Sequence, residues 1–595
     1  MRTIIKYTLF ILTGLLLFNS CEDYLEKTPY AEVSDEDVFN TYESFQGFID
    51  RNYADIINPY NTAIAGSNDL GGSLYSNKRV VGSGNAGDYW DLMKSSRHRL
   101  HYIEAASNPS FEGTWGDINE KGYGYWFASW RGIRTCNLAL EKLPLLTDAT
   151  QEEKDLIKGQ IHFFRAFFHH ELMKFWGGMP YINKLFSPAE PMKEPRLTYQ
   201  ECTDKLVLDF DTAVSLLPEN WDETVVGSAR PGANTGRATK GAALAFKAKA
   251  LLYAGSPLMN GSSGNSFTYN KSYMEKAAAA AWEVIKLANK GVYSLTPFDN
   301  YRDMFARNDV NSPYTDETIF LKIPWIYTGK NAMTVLHGRY FNPARFGGNG
   351  LCHTPNQNYL DRFEMADGTR YKLVYDNDNS KRWDFRDPRF KQNVIIDREK
   401  WGFNNKTVFE LYEGGEDKGA GVGMYTAYCI KKYWPIGVNN YDKEWNDFKF
   451  VIPQMRLADV YLFYAEAVNE AYGATGTAPG ASLTAVDAVN LVRNRAGMPP
   501  VTATPAGYSS FRELVWNERC VELCWEDSYW FDIRRWHVGH LPEYKPIVDL
   551  KFDKDWTNFE RVVISERHFE DKHYWLPIPR EQTQLYEGFG QNPGW

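Results

Sequence analysis

Residues 161–180 read IHFFRAFFHHELMKFWGGMP. Ile161, Phe164, Phe168, Leu172 and Phe175 recur at steps of three and four, the spacing that lines side chains along one face of an α-helix. Gly177-Gly178-Met179-Pro180 then ends it, because paired glycines and a proline cannot continue the helical ladder. Working outward, Trp126, Trp130, Ile133, Asn137 and Leu140 make a second stripe just upstream. Downstream, a helix near Tyr199 to Leu217 stops before Pro218. An Ala-rich helix spans Thr239 to Tyr253, and another, Tyr273 to Asn289, puts Met274, Ala278, Ala281, Ile285 and Ala288 on one face. From 124 to 290 the chain therefore reads as helices in pairs. The pattern resumes at 455–472 (Leu457, Val460, Tyr464, Val468), 483–496 and 508–526.

Two regions break the period. Residues 58–100 carry Asn, Gly and Ser with Tyr75, Tyr89 and Trp90, and residues 291–454 are rich in Gly, Asn, Asp and aromatics. Long loops in a compact protein are usually functional. The expectation is a mostly α fold, an α-solenoid-type scaffold of helix pairs at about 124–290 and 455–540, with a long irregular, loop-rich insert forming the binding surface. Upstream, Ser34 before Asp35, Glu36 and Asp37 is a helix N-cap with first-turn acids, and Val38, Tyr42, Phe45 and Ile49 continue that helix. Tyr574 to Trp595 reads as a Pro-rich extended tail.

The first residues are of a different kind. Arg2 and Lys6 precede an apolar run from Tyr7 to Phe18, and Ser20 stands directly before Cys21. The run is shorter than the ~20 residues a membrane span needs. It reads as a secretory signal, residues 1–20, with the small residue and cysteine of a bacterial lipoprotein at the cut site. Cys21 then becomes the mature N-terminus and carries acyl chains such as palmitate, each buried CH₂ adding ~0.8 kcal/mol of membrane affinity. An ordinary secreted protein with a chance cysteine is the alternative. Residues 21–34 would be the lipidated tether and 35–595 a single domain.

The net charge is −9, and the signal's Arg2 and Lys6 take two positive charges with them. A chain this acidic excludes a polyphosphate, so no nucleic-acid partner is expected. Cys136, Cys202, Cys352, Cys429, Cys520 and Cys524 lack a zinc-like spacing and read as core residues, Cys520 and Cys524 one helical turn apart, although an exported chain could oxidise a pair. Aromatics make up 15%, with 37 Tyr and 19 Trp; they fill cores, but they also supply flat faces for stacking on ligands.

Ordered motifs now connect. They are the Cys21 leader with Pro29, Trp130-Arg131-Gly132-Ile133 with Asn137, Phe164-Arg165-Ala166-Phe167, Gly236-Arg237-Ala238-Thr239-Lys240 and Asp387-Pro388-Arg389-Phe390. Met455 to Tyr461 with Ala465-Glu466-Ala467, Arg493 to Gly497, Glu518-Arg519 to Asp532–Trp536, and Gln591-Asn592-Pro593-Gly594-Trp595 complete the series. In this order the chain resembles the SusD/RagB outer-membrane lipoproteins of the Bacteroidetes, with one departure at Asp527-Ser528. The resemblance implies tetratricopeptide-like helix pairs and a cell-surface lipoprotein at the outer membrane. It also implies capture of oligosaccharides for a SusC-like TonB-dependent transporter, with no enzymatic activity and no cofactor. A peptide-capturing, RagB-like member is the alternative within the family, and a surface glycoside hydrolase the alternative outside it.

A sugar ring offers an apolar C–H face and a rim of hydroxyls, so a site for it needs aromatic platforms with a few oriented polar groups. Asn68, Asp69 and Arg79 beside Tyr89 and Trp90 supply both, as do Trp325, Tyr327 and Tyr340 in the second region. For each of these residues core packing is the competing reading. Glu518 and Glu522, one turn apart on a helix expected over Phe511–Asp527, stand ~5–6 Å apart at Cβ. That is close to the ~5–5.5 Å of a retaining glycosidase pair. The other reading is a buried ion network with Arg519, Arg534 and Arg535. His162, His169 and His170 lack metal-site spacing. Asp376-Asn377-Asp378-Asn379-Ser380 resembles the start of a calcium loop, but Lys381 stands where an EF-hand needs Gly, and a solvated turn is the simpler reading. The Gly419–Gly423 run opens no helix, so it does not support nucleotide binding.

Overall fold

In the computed structural model, residues 34–56, 125–307, 315–321, 343–347 and 354–595 are described, apart from 188, 191–192, 380, 404–406, 420–423, 425, 438, 443–448, 451–452, 527, 567–568 and 579. Two short-range helices open the chain, α1 (Asp35–Phe39) and α2 (Tyr42–Asp55). The single helix expected from Ser34 onward is thus two. Ser34 and Asp37 form the first capping box, but Thr41 turns extended and caps α2. The break is held from outside, because Asp148 donates its backbone N–H to Asn40 O at 3.1 Å and bridges Thr41.

The scaffold follows as α3 (Tyr125–Lys142), α4 (Gln151–Trp176), α5 (Tyr199–Leu216), α6 (Lys240–Gly255), α7 (Pro257–Ser262) and α8 (Lys271–Asn289). Caps set the boundaries. Thr150 with Glu153 and Thr198 with Glu201 close capping boxes on α4 and α5, and Gly177 at φ +81° terminates α4. Each long helix packs chiefly on its neighbours in the order α3, α4, α5, α6, α8, a quasi-one-dimensional stack. Gly132, in the Trp-Arg-Gly-Ile motif, lets α3 and α4 touch, since a Cβ there would lie 2.3 Å from the Phe168 ring. α6 is buried on nearly every side, and its alanines admit α5 and α8 closely.

The middle of the chain contributes α9 (Gln357–Leu360), α10 (Pro388–Asn393) and short antiparallel pairs. β1 (Ala306–Arg307) pairs with β5 (Lys449–Phe450), β2 (Thr318–Leu321) with β6 (Pro453–Arg456), and β3 (Val394–Ile395) with β4 (Cys429–Ile430). α11 (Leu457–Tyr472) extends the helical stack from α8, and α12 (Ala485–Arg495) and α13 (Phe511–Glu522) pack on α11. α14 (Tyr529–Arg535), a hairpin of β7 (Pro546–Phe552) and β8 (Phe559–Glu566), and α15 (Arg580–Thr583) follow. Two hydrophobic cores result. One runs through the helical stack, and the other gathers Phe346, Trp401, Phe409, Trp434 and Trp525 under the β7–β8 hairpin.

α13 stops at Glu522, so Cys524 lies beyond it and the expected extension to Asp527 does not form. The reason lies in the partners of the freed carbonyls. Lys432 Nζ donates to Cys524 O at 3.0 Å, Arg456 Nη2 to Glu522 O at 3.0 Å and the Tyr433 hydroxyl to Trp525 O at 3.0 Å, with Trp525 held at φ +61°. Cys136, Cys202, Cys520 and Cys524 are free and buried, and Cys429 is buried in β4. Among the described residues no helix is long and apolar enough to cross a membrane.

Candidate functional site

Cys21, Asn68, Asp69, Arg79, Tyr89, Trp90, Trp325, Tyr327 and Tyr340 lie outside the described residues. The structure does place the points from which the two aromatic segments leave the scaffold. The first follows α2 and precedes α3 in sequence, and Arg131, in the second turn of α3, donates Nε to Oδ2 of Asp55, the last residue of α2, at 2.9 Å. The second departs after Leu321, the last residue of β2. Near these points Tyr53 packs edge-on to Phe164 at 4.5 Å, and Phe320 packs on Phe163 at 5.1 Å. Phe163 and Phe164 are neighbours in the middle of α4. Tyr53 and Phe320, more than 250 residues apart in sequence, therefore meet neighbouring rings of one helix.

The α2 root is held by polar groups from three elements. Tyr53 donates its hydroxyl to Gln160 Oε1 at 2.9 Å and accepts the Ala238 N–H at 2.9 Å. Gln46 and Gln160 exchange amide hydrogen bonds, and Arg237 Nη1 donates to Asp50 Oδ1 at 2.6 Å while stacking over Tyr53 and Trp221. The Gly236–Lys240 motif thus fastens the root to the start of α6. Beside it, a cleft of about 570 Å³ opens between the end of α5 and the start of α6, and Asn220, Asp222, Asn234, Arg237, Thr318 and Phe320 are among the residues lining it. Its tryptophan, Trp221, is buried and donates Nε1 to Ala238 O at 2.9 Å. This cleft offers oriented polar groups without an open aromatic face, the complement of what the two aromatic segments carry.

Glu518 and Glu522 are sealed in the interior. Glu518 accepts from Arg389 at 2.5 Å and from Arg493 at 3.0 Å. Glu522 accepts from Arg456 at 2.8 Å, from Arg389 at 3.0 Å and from Arg495. Burial alone would push the Glu522 carboxyl up, but Arg495, Arg456 and Arg389 together hold it well below the usual carboxylate range. A glycosidase acid needs the opposite shift and an open path to substrate. The expected network is present with different partners. Arg519 and Arg535 turn instead to Asp532 and Glu466. Arg534 donates to the carbonyls of Tyr574 and Lys174. The sequence reading chose arginines by proximity along the chain, whereas the real partners come from the Asp387-Pro388-Arg389, Met455-Arg456 and Arg493-to-Arg495 motifs. Those motifs meet only after folding.

His162 Nδ1 lies 2.7 Å from Asp209 Oδ1, which also accepts from Arg165, while Tyr181 donates to the other carboxylate oxygen, Oδ2. His169 is buried and stacks on Tyr181 at 4.1 Å, and His170 is buried. Among the described residues no group of three or more His, Cys, Asp or Glu side chains is arranged to hold a metal. Asp376, the first oxygen of the calcium-like run, is buried and takes a hydrogen bond from Tyr371 at 2.7 Å as well as an ion pair from Arg561. It is engaged by protein groups. Gly419 and Met424 bridge antiparallel across the glycine run.

Comparison with known proteins adds to the geometry. A family model described as the SusD family matches residues 316–595, and one described as starch-binding associating with outer membrane matches residues 23–252. A SusD-like protein of Formosa agariphila, P2, is 24% identical over 549 residues, 90% of this chain and 91% of its own length. A crystal structure of a SusD-like protein from Bacteroides fragilis aligns with a TM-score of 0.71 at 24% identity, over 96% of this chain and all of that one. Surface glycan-binding protein A from Bacteroides uniformis aligns with a TM-score of 0.60 at 17% identity, over 93% and 99%. The two solved structures establish the fold. Together the two family models match residues 23–252 and 316–595, most of the sequence: the chain belongs to the SusD/RagB family.

Proposed function

We propose that this protein is a surface lipoprotein that captures oligosaccharides outside the cell and hands them to a SusC-like TonB-dependent transporter, with no chemistry of its own. Residues 1–20 are the signal, Cys21 carries the acyl anchor, residues 21–34 are the tether and 35–595 the binding body. The observation that carries the reading is that Tyr53 and Phe320, which precede the two aromatic segments in sequence, pack on Phe164 and Phe163 of α4, next to a polar cleft. Flat aromatic faces with a few oriented polar groups suit a sugar ring. The family description, starch-binding associating with outer membrane, supports the same reading. Glu518 and Glu522, each held by arginines, weigh against the hydrolase.

The test is a titration of purified protein against a polysaccharide and peptide panel, repeated on Trp90→Ala and Trp325→Ala. Losing a stacking platform removes ~1–3 kcal/mol of apolar contact, so affinity falls about ten-fold while the melting temperature hardly moves. Unchanged affinity with a collapsed melting temperature would return both tryptophans to the core. Binding confined to peptides would select the RagB-like alternative.

A further inference from the structure

A larger cleft, of about 830 Å³, lies at the opposite end of the α5–α6 pair from the loop roots. α5 has 18 residues, so the two clefts stand ~27 Å apart at 1.5 Å per residue. Its walls come from remote segments: the end of α4 at Gly177, the start of α5, α7, the Phe267 turn with His537, and residues 571–575 with the tail at 591–594. The volume falls within the range of small-ligand sites.

Three features point to an occupant. Tyr199 lines the cleft at 1% exposure, and its hydroxyl has no hydrogen-bond partner. Buried hydroxyls are almost always partnered, and this one can both donate and accept. Arg196 is bound by uncharged oxygens only, donating to Gly178 O at 2.6 Å, Trp176 O at 2.8 Å, Gly590 O at 3.0 Å and Asn592 Oδ1. Burial lowers its pKa to about 10, and no carboxylate among the described residues offsets that. One of its N–H groups remains to be used. Phe267, 52% exposed, stands on the rim and stacks on His537 at 4.1 Å.

We infer that this cleft is a second ligand site, for a sugar ring bearing a carboxylate. Arg196 takes the carboxylate, Tyr199 a ring hydroxyl and Phe267 the apolar C–H face. A sugar hydroxyl answers the orphaned phenol, and a single carboxylate answers a cation that has no counter-charge among the described residues. Asp571, also in the lining, disfavours a ligand carrying several negative charges at once. The choice of a sugar as probe rests on the proposed glycan reading, whereas the cleft's location does not.

The experiment titrates D-glucuronic acid and D-glucose into the detergent-solubilised full chain, followed by ligand NMR. Glucuronic acid should bind in the millimolar range, at least about ten-fold more tightly than glucose, and more weakly as salt is raised. Tyr199→Phe and Phe267→Ala should each weaken it several-fold. Tyr199→Phe should also keep or raise the melting temperature, because it removes an unsatisfied buried hydroxyl, whereas a packing residue would lower it. If the polysaccharide panel fails while glucuronic acid still binds at this cleft, the loop reading falls and this one stands. Absence of binding to the wild type, undiminished binding to both cleft variants, loss only in the loop variants, or capture of a proline-rich peptide instead of the sugar acid would each overturn it.

Discussion

Replacing Glu522 by Gln keeps the shape of the side chain and removes its charge. Its carboxylate faces Arg389, Arg456 and Arg495, and all four side chains are buried to 5% exposure or less. Neutralising one partner leaves surplus positive charge in the interior, a change that typically costs ~3–5 kcal/mol. With ~2.1 cal/mol/K of unfolding entropy per residue, a body of this length has about 1.2 kcal/mol/K, so the melting temperature should fall by about 3–4 °C. The pH dependence has a definite sign. The folded pKa lies well below the ordinary value, so the stabilisation is full above the unfolded pKa near ~4.3 and is lost as pH falls through the folded value. The gap between wild type and Glu522→Gln should therefore be full at pH 7 and narrow below about pH 4. Thermal unfolding of both proteins at the two pH values measures it, with reducing-end release from glycans assayed in parallel. An unchanged melting temperature would refute the network account, and glycan cleavage by wild type that disappears in a stably folded Glu522→Gln would make the pair catalytic.

Three further outcomes are expected. Cys21→Ala should abolish acylation and release the protein from the outer-membrane fraction, so variant protein that survives a high-salt wash on membranes would contradict the anchor. Gly132→Ala should destabilise the α3–α4 contact by ~1–3 kcal/mol, because the new methyl would lie 2.3 Å from Phe168; a melting curve identical to wild type would show that the helices separate freely. In mild detergent, from cells grown on the inducing glycan, the protein should co-purify with a large β-barrel, and protein that repeatedly runs alone would count against the transporter partnership.

The hydrophobic period, read from the sequence alone, located the scaffold helices to within a few residues, because each buries one face and advertises it every three or four positions. The same period failed at Asn40-Thr41, where a contact with Asp148 splits one apparent helix into two. It failed again after Glu522, where Lys432 and Arg456 capture carbonyls that a longer helix would have used. The β7–β8 hairpin gave no alternating signal, since Asp549 is buried in its middle and bound by Lys418 at 2.6 Å, with a bulge at Ile547–Val548. The proposed binding regions stand out by composition: aromatics among Asn and Gly, with no period. That Tyr53 and Phe320 meet adjacent rings of α4 was not, nor was the cleft between α5, α7 and the C-terminal tail. Periodicity is local and survives in one dimension, whereas a charge partner, a helix stop or a cleft depends on segments hundreds of residues apart, whose pairing no short stretch of sequence encodes.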